Sequence, residues 1–207
     1  MGGWVKPVVW LLITITRDRP GLLGDIINVI RGEGININAI LGNPNDILIS
    51  LEGFRDSLIK GISRVDGVGG VFRVDAPFGI IGFAQSALTG ALALYSLNIK
   101  PELLERLGYE YGRELTRMLR AGGEGRIPVI FHILTAMGIL TFMGAEVRGY
   151  DIVLRFRGSF DEYIGSPITR GIIKGVFDAL LDGKYEMRFE RVNGGFKVHV
   201  RVRGFTV

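Results

Sequence analysis

The residues that could do chemistry in this chain are few and widely spaced. His132 sits inside an apolar helical stretch, where a core histidine is expected, and His199 alternates outward with Lys197, Arg201 and Arg203 on a strand. Two isolated histidines without nearby carboxylates make a poor metal site. Asp161-Glu162 is a paired carboxylate, but neighbours on a loop cap or solvate more often than they catalyse. Gly67-Val68-Gly69-Gly70 and Gly122-Gly123-Glu124-Gly125 lack the strand-to-helix setting and the lysine of a phosphate loop. With no cysteine, thiolate catalysis, disulfides and cysteine-based metal sites are excluded. No catalytic residue, metal site or cofactor is therefore expected.

Binding chemistry has a clearer signal in the run Thr16-Arg17-Asp18-Arg19-Pro20-Gly21-Leu22-Leu23. It joins a strand to a helix, a junction that leaves polar backbone groups at a surface for a ligand carboxylate or amine. Pro20 suits the first helical position, and Asp18 can cap the free N–H groups of the first turn. The strand before it, Val8 to Thr16, alternates Val9, Leu11, Ile13 and Ile15 with Trp10, Leu12, Thr14 and Thr16. In the helix after it, Leu23, Ile26, Ile27 and Ile30 share a face, and Gly34 supplies a left-handed stop. Strands at Ile35–Leu41 and Asp46–Leu51 follow, then a helix at Phe54–Val65 and a last strand at Val68–Val74. The order is βαββαβ, a ferredoxin-like split.

That order resembles an ACT domain, with Asp18-Arg19-Pro20-Gly21 in the first loop and Gly34-Ile35-Asn36-Ile37 opening the second strand. The resemblance covers about residues 7–76. It implies a regulatory module that binds an amino acid, commonly at an interface between two copies. In such domains a polar residue two places before the loop proline often contacts the ligand. Here that place holds Asp18, where the family usually carries a neutral asparagine. An asparagine opening the second strand often reaches the same ligand, and here it is Asn36. Arg19, Gly21 and Leu22 complete the expected ligand loop.

Asp75-Ala76-Pro77 marks the expected boundary, giving domains at 1–76 and 77–207. Beyond it, helices are expected at about Phe78–Ile99, Pro101–Leu119 and Pro128–Leu140. Strands follow near Thr141–Val147 and Asp151–Arg157, then a helix from Ser166 to a stop at Gly183, and a hairpin of Tyr185–Val192 and Phe196–Arg203. Read as αααββαββ, this is an α+β domain. It resembles the 4-vinyl-reductase domain, a small-molecule-binding module, through Leu107-Gly108-Tyr109-Glu110-Tyr111-Gly112 and Arg170-Gly171-Ile172-Ile173-Lys174-Gly175. The resemblance covers about residues 79–203 and implies dimerisation and an apolar ligand cavity. Family members often carry cysteines that this chain lacks, so thiol- or metal-linked roles are not implied. Phe83, Tyr95, Phe131, Leu134 and Phe142 are the expected lining of that cavity, because two nearly charge-free helices are more than one small core needs.

Residues 78–99 and 127–145 are uncharged, long enough to raise a membrane span. Gln85, Ser86, Asn98, Pro128 and His132 interrupt them, and buried helices are the expectation. Gly82, Ser86 and Gly90 form a smooth stripe that suits a homodimer seam. The net charge of +4 is not evenly placed, with 16 Lys/Arg against 13 Asp/Glu in residues 101–207 and 9 against 8 in residues 1–100, a mild imbalance that permits an acidic partner without demanding one. No secretory signal is seen, so a cytoplasmic protein is expected. A single glutamine, Gln85, and the absence of cysteine fit a thermophilic source. The expected function is a non-enzymatic, homodimeric sensor, with the first domain binding an amino acid or similar metabolite and the second an apolar molecule. A regulatory subunit or enzyme of amino-acid metabolism with a site at the domain interface stands second, and His132, Arg113 and Asp161 clustered in one pocket would favour it. A ligand-responsive transcription regulator touching DNA through Arg188, Arg191, Lys197, Arg201 and Arg203 stands third, since no helix-turn-helix is recognisable.

Overall fold

A computed structural model describes residues 9–75, 100–119, 126–157, 166–181 and 184–203. In chain order the elements are β1 (Val9–Ile15), α1 (Leu22–Gly32), β2 (Ile37–Gly42), β3 (Asp46–Leu51), α2 (Asp56–Ile62) and β4 (Val68–Asp75). Then come α3 (Pro101–Met118), α4 (Arg126–Ala136), β5 (Thr141–Arg148), β6 (Asp151–Arg157), α5 (Ser166–Leu181), β7 (Tyr185–Val192) and β8 (Gly195–Val202). The chain is α+β, with two four-stranded antiparallel sheets.

The first sheet has the order β2-β3-β1-β4. Its register pairs Leu11 with Ile49 and Ile13 with Ile47, so the odd residues of both central strands share one face. On that face Leu22, Ile26 and Ile30 of α1 and Leu58 and Ile62 of α2 close the core. Both helices therefore lie on one side, as the alternation and the βαββαβ order imply.

The opposite face is also buried. Trp10, Leu12, Asp46, Leu48 and Ser50 are all inaccessible or nearly so. Their cover is α4, which packs on β3, β1 and β2 and is apolar almost all round, as a helix enclosed on several sides must be. The compact units therefore do not follow a single break near Pro77. Residues 119–138 group with the first sheet, and residues 100–118 group with the chain from Ile139 onward. The physical reason is that β1 is apolar on both faces and leaves a second face that water would otherwise wet.

In the second unit the sheet order is β5-β6-β8-β7. Ile152, Leu154 and Phe156 of β6 face the same side as Val200, Val198 and Phe196 of β8, and all six are buried. The polar side carries Asp151, Arg155, Lys197, His199 and Arg201. Beside the sheet, α3 and α5 pack backbone to backbone through four glycines. A methyl group at Gly108 or Gly112 would strike the carbonyl of Ile168 or Ile172, and one at Gly171 or Gly175 would strike that of Glu105 or Tyr109. The facing positions rise together along both helices, so the two run parallel. Glycine is required here by proximity rather than by backbone angle.

Candidate functional site

The loop between β1 and α1 is fixed by the loop before β4. Thr16 N–H donates to the Gly67 carbonyl at 2.9 Å and its hydroxyl donates to the same oxygen at 3.1 Å. Gly67 has φ +97°, and any side chain there would meet the Arg17 carbonyl. Arg17 pairs with Asp66, while Arg19 donates to Asp25 at 2.7 Å and to the Asp66 carbonyl at 3.3 Å. These pairs are exposed, so each adds at most about 1 kcal/mol, but together they set where the Arg19 guanidinium stands.

Helix α1 starts later than its proline suggests. Pro20 lies in the turn, Gly21 takes the N-cap position in the left-handed region at φ +85°, and the helix opens at Leu22. No side chain caps it, so the expected capping role of Asp18 is not realised. Asp18 and Gly21 are exposed, Arg19 is half-buried and Leu22 is buried. The helix N-terminus, with its partial positive charge, thus opens toward solvent beside one guanidinium and one free-standing carboxylate.

Asn36 lies elsewhere. It follows the C-terminal end of α1, donates to Glu52 at 3.1 Å, and its carbonyl accepts from the Glu52 N–H at 3.0 Å. Eleven residues of helix separate it from Leu22, about 16 Å of rise. Within one chain the structure does not bring Asn36 and the Asp18 loop together.

A polar contact that the sequence did not announce ties α4 to the first sheet. His132 Nδ1 lies 2.9 Å from Asp46 Oδ1 and 3.1 Å from Oδ2, and the Asp46 side chain has no exposed surface. Burial raises the Asp46 carboxyl above its ordinary range, and His132 partly offsets this. One turn of hairpin away, Asn43 Oδ1 accepts from the N–H groups of Asn45 and Asp46, while its amide donates to the Thr135 carbonyl at 2.6 Å. At the other end of the same face Trp10 and Ser50 are cross-strand partners, and neither the indole N–H nor the hydroxyl has a hydrogen-bond partner. The only hint in the sequence was a lone histidine in an apolar helix; its carboxylate stands 86 positions earlier.

In the second unit polar groups line the α3–α5 seam. Tyr109 donates to Asp178, Lys174 pairs with Glu105, and the Tyr185 hydroxyl donates to the Lys174 carbonyl at 3.1 Å. The Tyr185 phenol is pushed up to about 12, chiefly by burial and then by the Asp178 charge. Tyr109 is also raised, because its hydroxyl is held by Asp178. Phenols shifted upward stay protonated and are poor bases. A shallow groove of about 360 Å³ lies beside them, lined by Glu102, Glu105, Arg106, Tyr109 and Lys174.

The basic hairpin is partly neutralised. Arg201 donates to Asp151 at 3.0 and 3.4 Å, Arg203 pairs with Glu186, and His199 contacts Glu190 at 2.7 Å. Arg188, Arg191 and Lys197 form no ion pair among the described residues.

The expected apolar lining is divided. Phe131 and Leu134 are fully buried on α4 in the first unit, whereas Phe142 belongs to β5 of the second, where its ring lies 5.5 Å from Phe156. Phe83 and Tyr95 lie outside the described residues, as do Asp161 and the Gly82, Ser86, Gly90 stripe. Arg113 pairs with Glu110 and Glu114 on α3. Among the described residues no His, Asp and Glu side chains gather as a metal site, and no helix is long and apolar enough to cross a membrane.

No family model matches the chain, and no curated protein matches it. A solved homoserine dehydrogenase from Thiobacillus denitrificans is similar over 32% of this chain at 26% identity, with a TM-score of 0.29. This chain spans 16% of that enzyme's length.

Proposed function

We propose that this protein is a non-enzymatic small-molecule sensor whose first unit takes a free amino acid or a similar zwitterionic metabolite at the 16–21 loop. The observation that carries the reading is the start of α1, where no side chain caps the helix and a pinned loop holds Arg19 beside it. A ligand carboxylate would accept from the open N–H groups and the guanidinium, and the exposed Asp18 would take the ammonium group. The βαββαβ order and the likeness of the loop to that of ACT domains support the same reading. The second unit takes a second, apolar ligand in this reading, on the likeness of its element order to that of 4-vinyl-reductase domains. The protein acts as a homodimer in this reading.

Thermal denaturation of the full chain against a panel of amino acids tests it. Binding raises the melting temperature in proportion to ligand concentration over dissociation constant. One or a few amino acids should raise it, and Arg19→Ala should abolish the rise while leaving the unliganded melting temperature nearly unchanged. A panel without any shift would overturn the reading.

A further inference from the structure

The second sheet ends in a strand with an unusual edge. Among the described residues β5 is the outermost strand and is hydrogen-bonded only to β6, and it carries Met143 and Val147 with about half or more of their surface exposed. The opposite edge, β7, alternates Glu186, Arg188 and Glu190, the charged pattern that discourages strand addition. At the end of β5 near its turn, Glu146 and Arg148 flank the exposed Val147.

The register shows which backbone groups are free. β5 and β6 are joined by a two-residue turn at Gly149-Tyr150, and Arg148 pairs with Asp151 across it. In a two-residue hairpin that closing pair is hydrogen-bonded, so at the next position, Val147 opposite Ile152, the Val147 N–H and carbonyl point outward to the free edge. Val147 also ends an apolar row that crosses the sheet through Ile152 and Val200 to Met187. Ile152 and Val200 are buried, yet Val147 is 65% exposed.

We propose that β5 is a seam between two copies of this chain, pairing antiparallel with β5 of the second copy about a two-fold axis at Val147. In that register Val147 exchanges both backbone hydrogen bonds with its own counterpart, and the two sheets join over residues 146–148 into one of eight strands. The charges favour this register over its two immediate neighbours. Glu146 falls opposite Arg148 of the second copy, twice by symmetry, whereas an axis at Glu146 or Arg148 would set like charges face to face. Both side chains stand at the surface, with Glu146 also bonded to Arg155 and 3.7 Å from its own Arg148. The apolar row then continues from one sheet into the next and covers Val147. The inference rests on the second unit alone and stands apart from the amino-acid site.

The cysteine-free sequence makes the test clean. Val147→Cys in the full chain, oxidised with diamide, should give a disulfide-linked dimer, because directly opposed residues of an antiparallel pair fall within disulfide reach. Leu103→Cys, exposed on α3, should stay uncross-linked. Light scattering of the unsubstituted chain should give twice the 22.8 kDa chain mass. Arg148→Glu should weaken the dimer at least about tenfold by facing Glu146 of the second copy, and adding Glu146→Lys should restore it. A monomeric chain overturns the proposal. So does a dimer in which Val147→Cys fails to cross-link or Arg148→Glu changes nothing.

Discussion

Nδ1 of His132 lies 2.9 Å from Oδ1 of Asp46, a carboxylate with no exposed surface, and this pair joins α4 to the strand it covers. Removing one member of such a pair leaves the other buried and uncompensated. His132→Ala should therefore lower stability by about 1–3 kcal/mol, below the range of a fully buried ion pair because His132 itself is partly exposed. Urea denaturation measures this, and an unchanged midpoint would show that packing alone holds α4.

The same carboxylate predicts a pH dependence. Burial raises the Asp46 carboxyl in the folded state. A raised carboxyl contributes its stability fully below the unfolded value, and that contribution is lost as pH rises through the folded value. Compared with Asp46→Asn, the unsubstituted chain should lose relative stability as pH climbs out of the acid range. Denaturation of both chains at a series of pH values checks the sign, and a relative gain with rising pH would contradict it.

Ser50 should prove expendable. Its hydroxyl is buried without a partner beside Trp10, so the chain carries a desolvation cost with no bond in return. Ser50→Ala should be neutral or stabilising by about 1 kcal/mol in the same assay. A loss above that size would mean the hydroxyl is satisfied in solution.

Two glycine substitutions should move in opposite directions. Gly112→Ala would push a methyl group against the Ile172 carbonyl, forcing α3 and α5 apart at a cost of about 1–3 kcal/mol or more. At Gly24, inside α1, an added methyl meets nothing within 4 Å, and alanine should stabilise the helix by about 0.5–1 kcal/mol. Melting temperatures of the two variants decide the matter, and equal effects would refute the close packing.

Much of the fold was legible because local rules decide it. Alternation in β1 and β3, the Asp66-Gly67 break and the Asn193-Gly194-Gly195 turn each act within a few residues, and the strands formed within one or two residues of where these signals placed them. The Gly108, Gly112, Gly171 and Gly175 spacing stood in the sequence, but only the structure shows these glycines facing one another across two helices. What escaped was non-local. An apolar helix fits any core, so the pattern of α4 could not say which sheet it would cover. The signal was in β1 instead, since Trp10 and Leu12 make its second face as apolar as its first. Nothing local links Asp46 to His132. The start of α1 was misplaced because Pro20 suits both a first helical turn and the tight turn before it, and Gly21 in the left-handed region settled the choice.

Calorimetric titration of the full chain with the amino acid that most raises its melting temperature, and with that amino acid's methyl ester, tests the central claim most directly. The α1 N-terminus and Arg19 would recognise the carboxylate, and esterification removes its charge while keeping the amine and side chain. The predicted result is saturable binding of the free amino acid at one site per chain, at least about tenfold weakened for the ester and for Arg19→Ala. Equal binding of acid and ester, or binding untouched by Arg19→Ala, would contradict it.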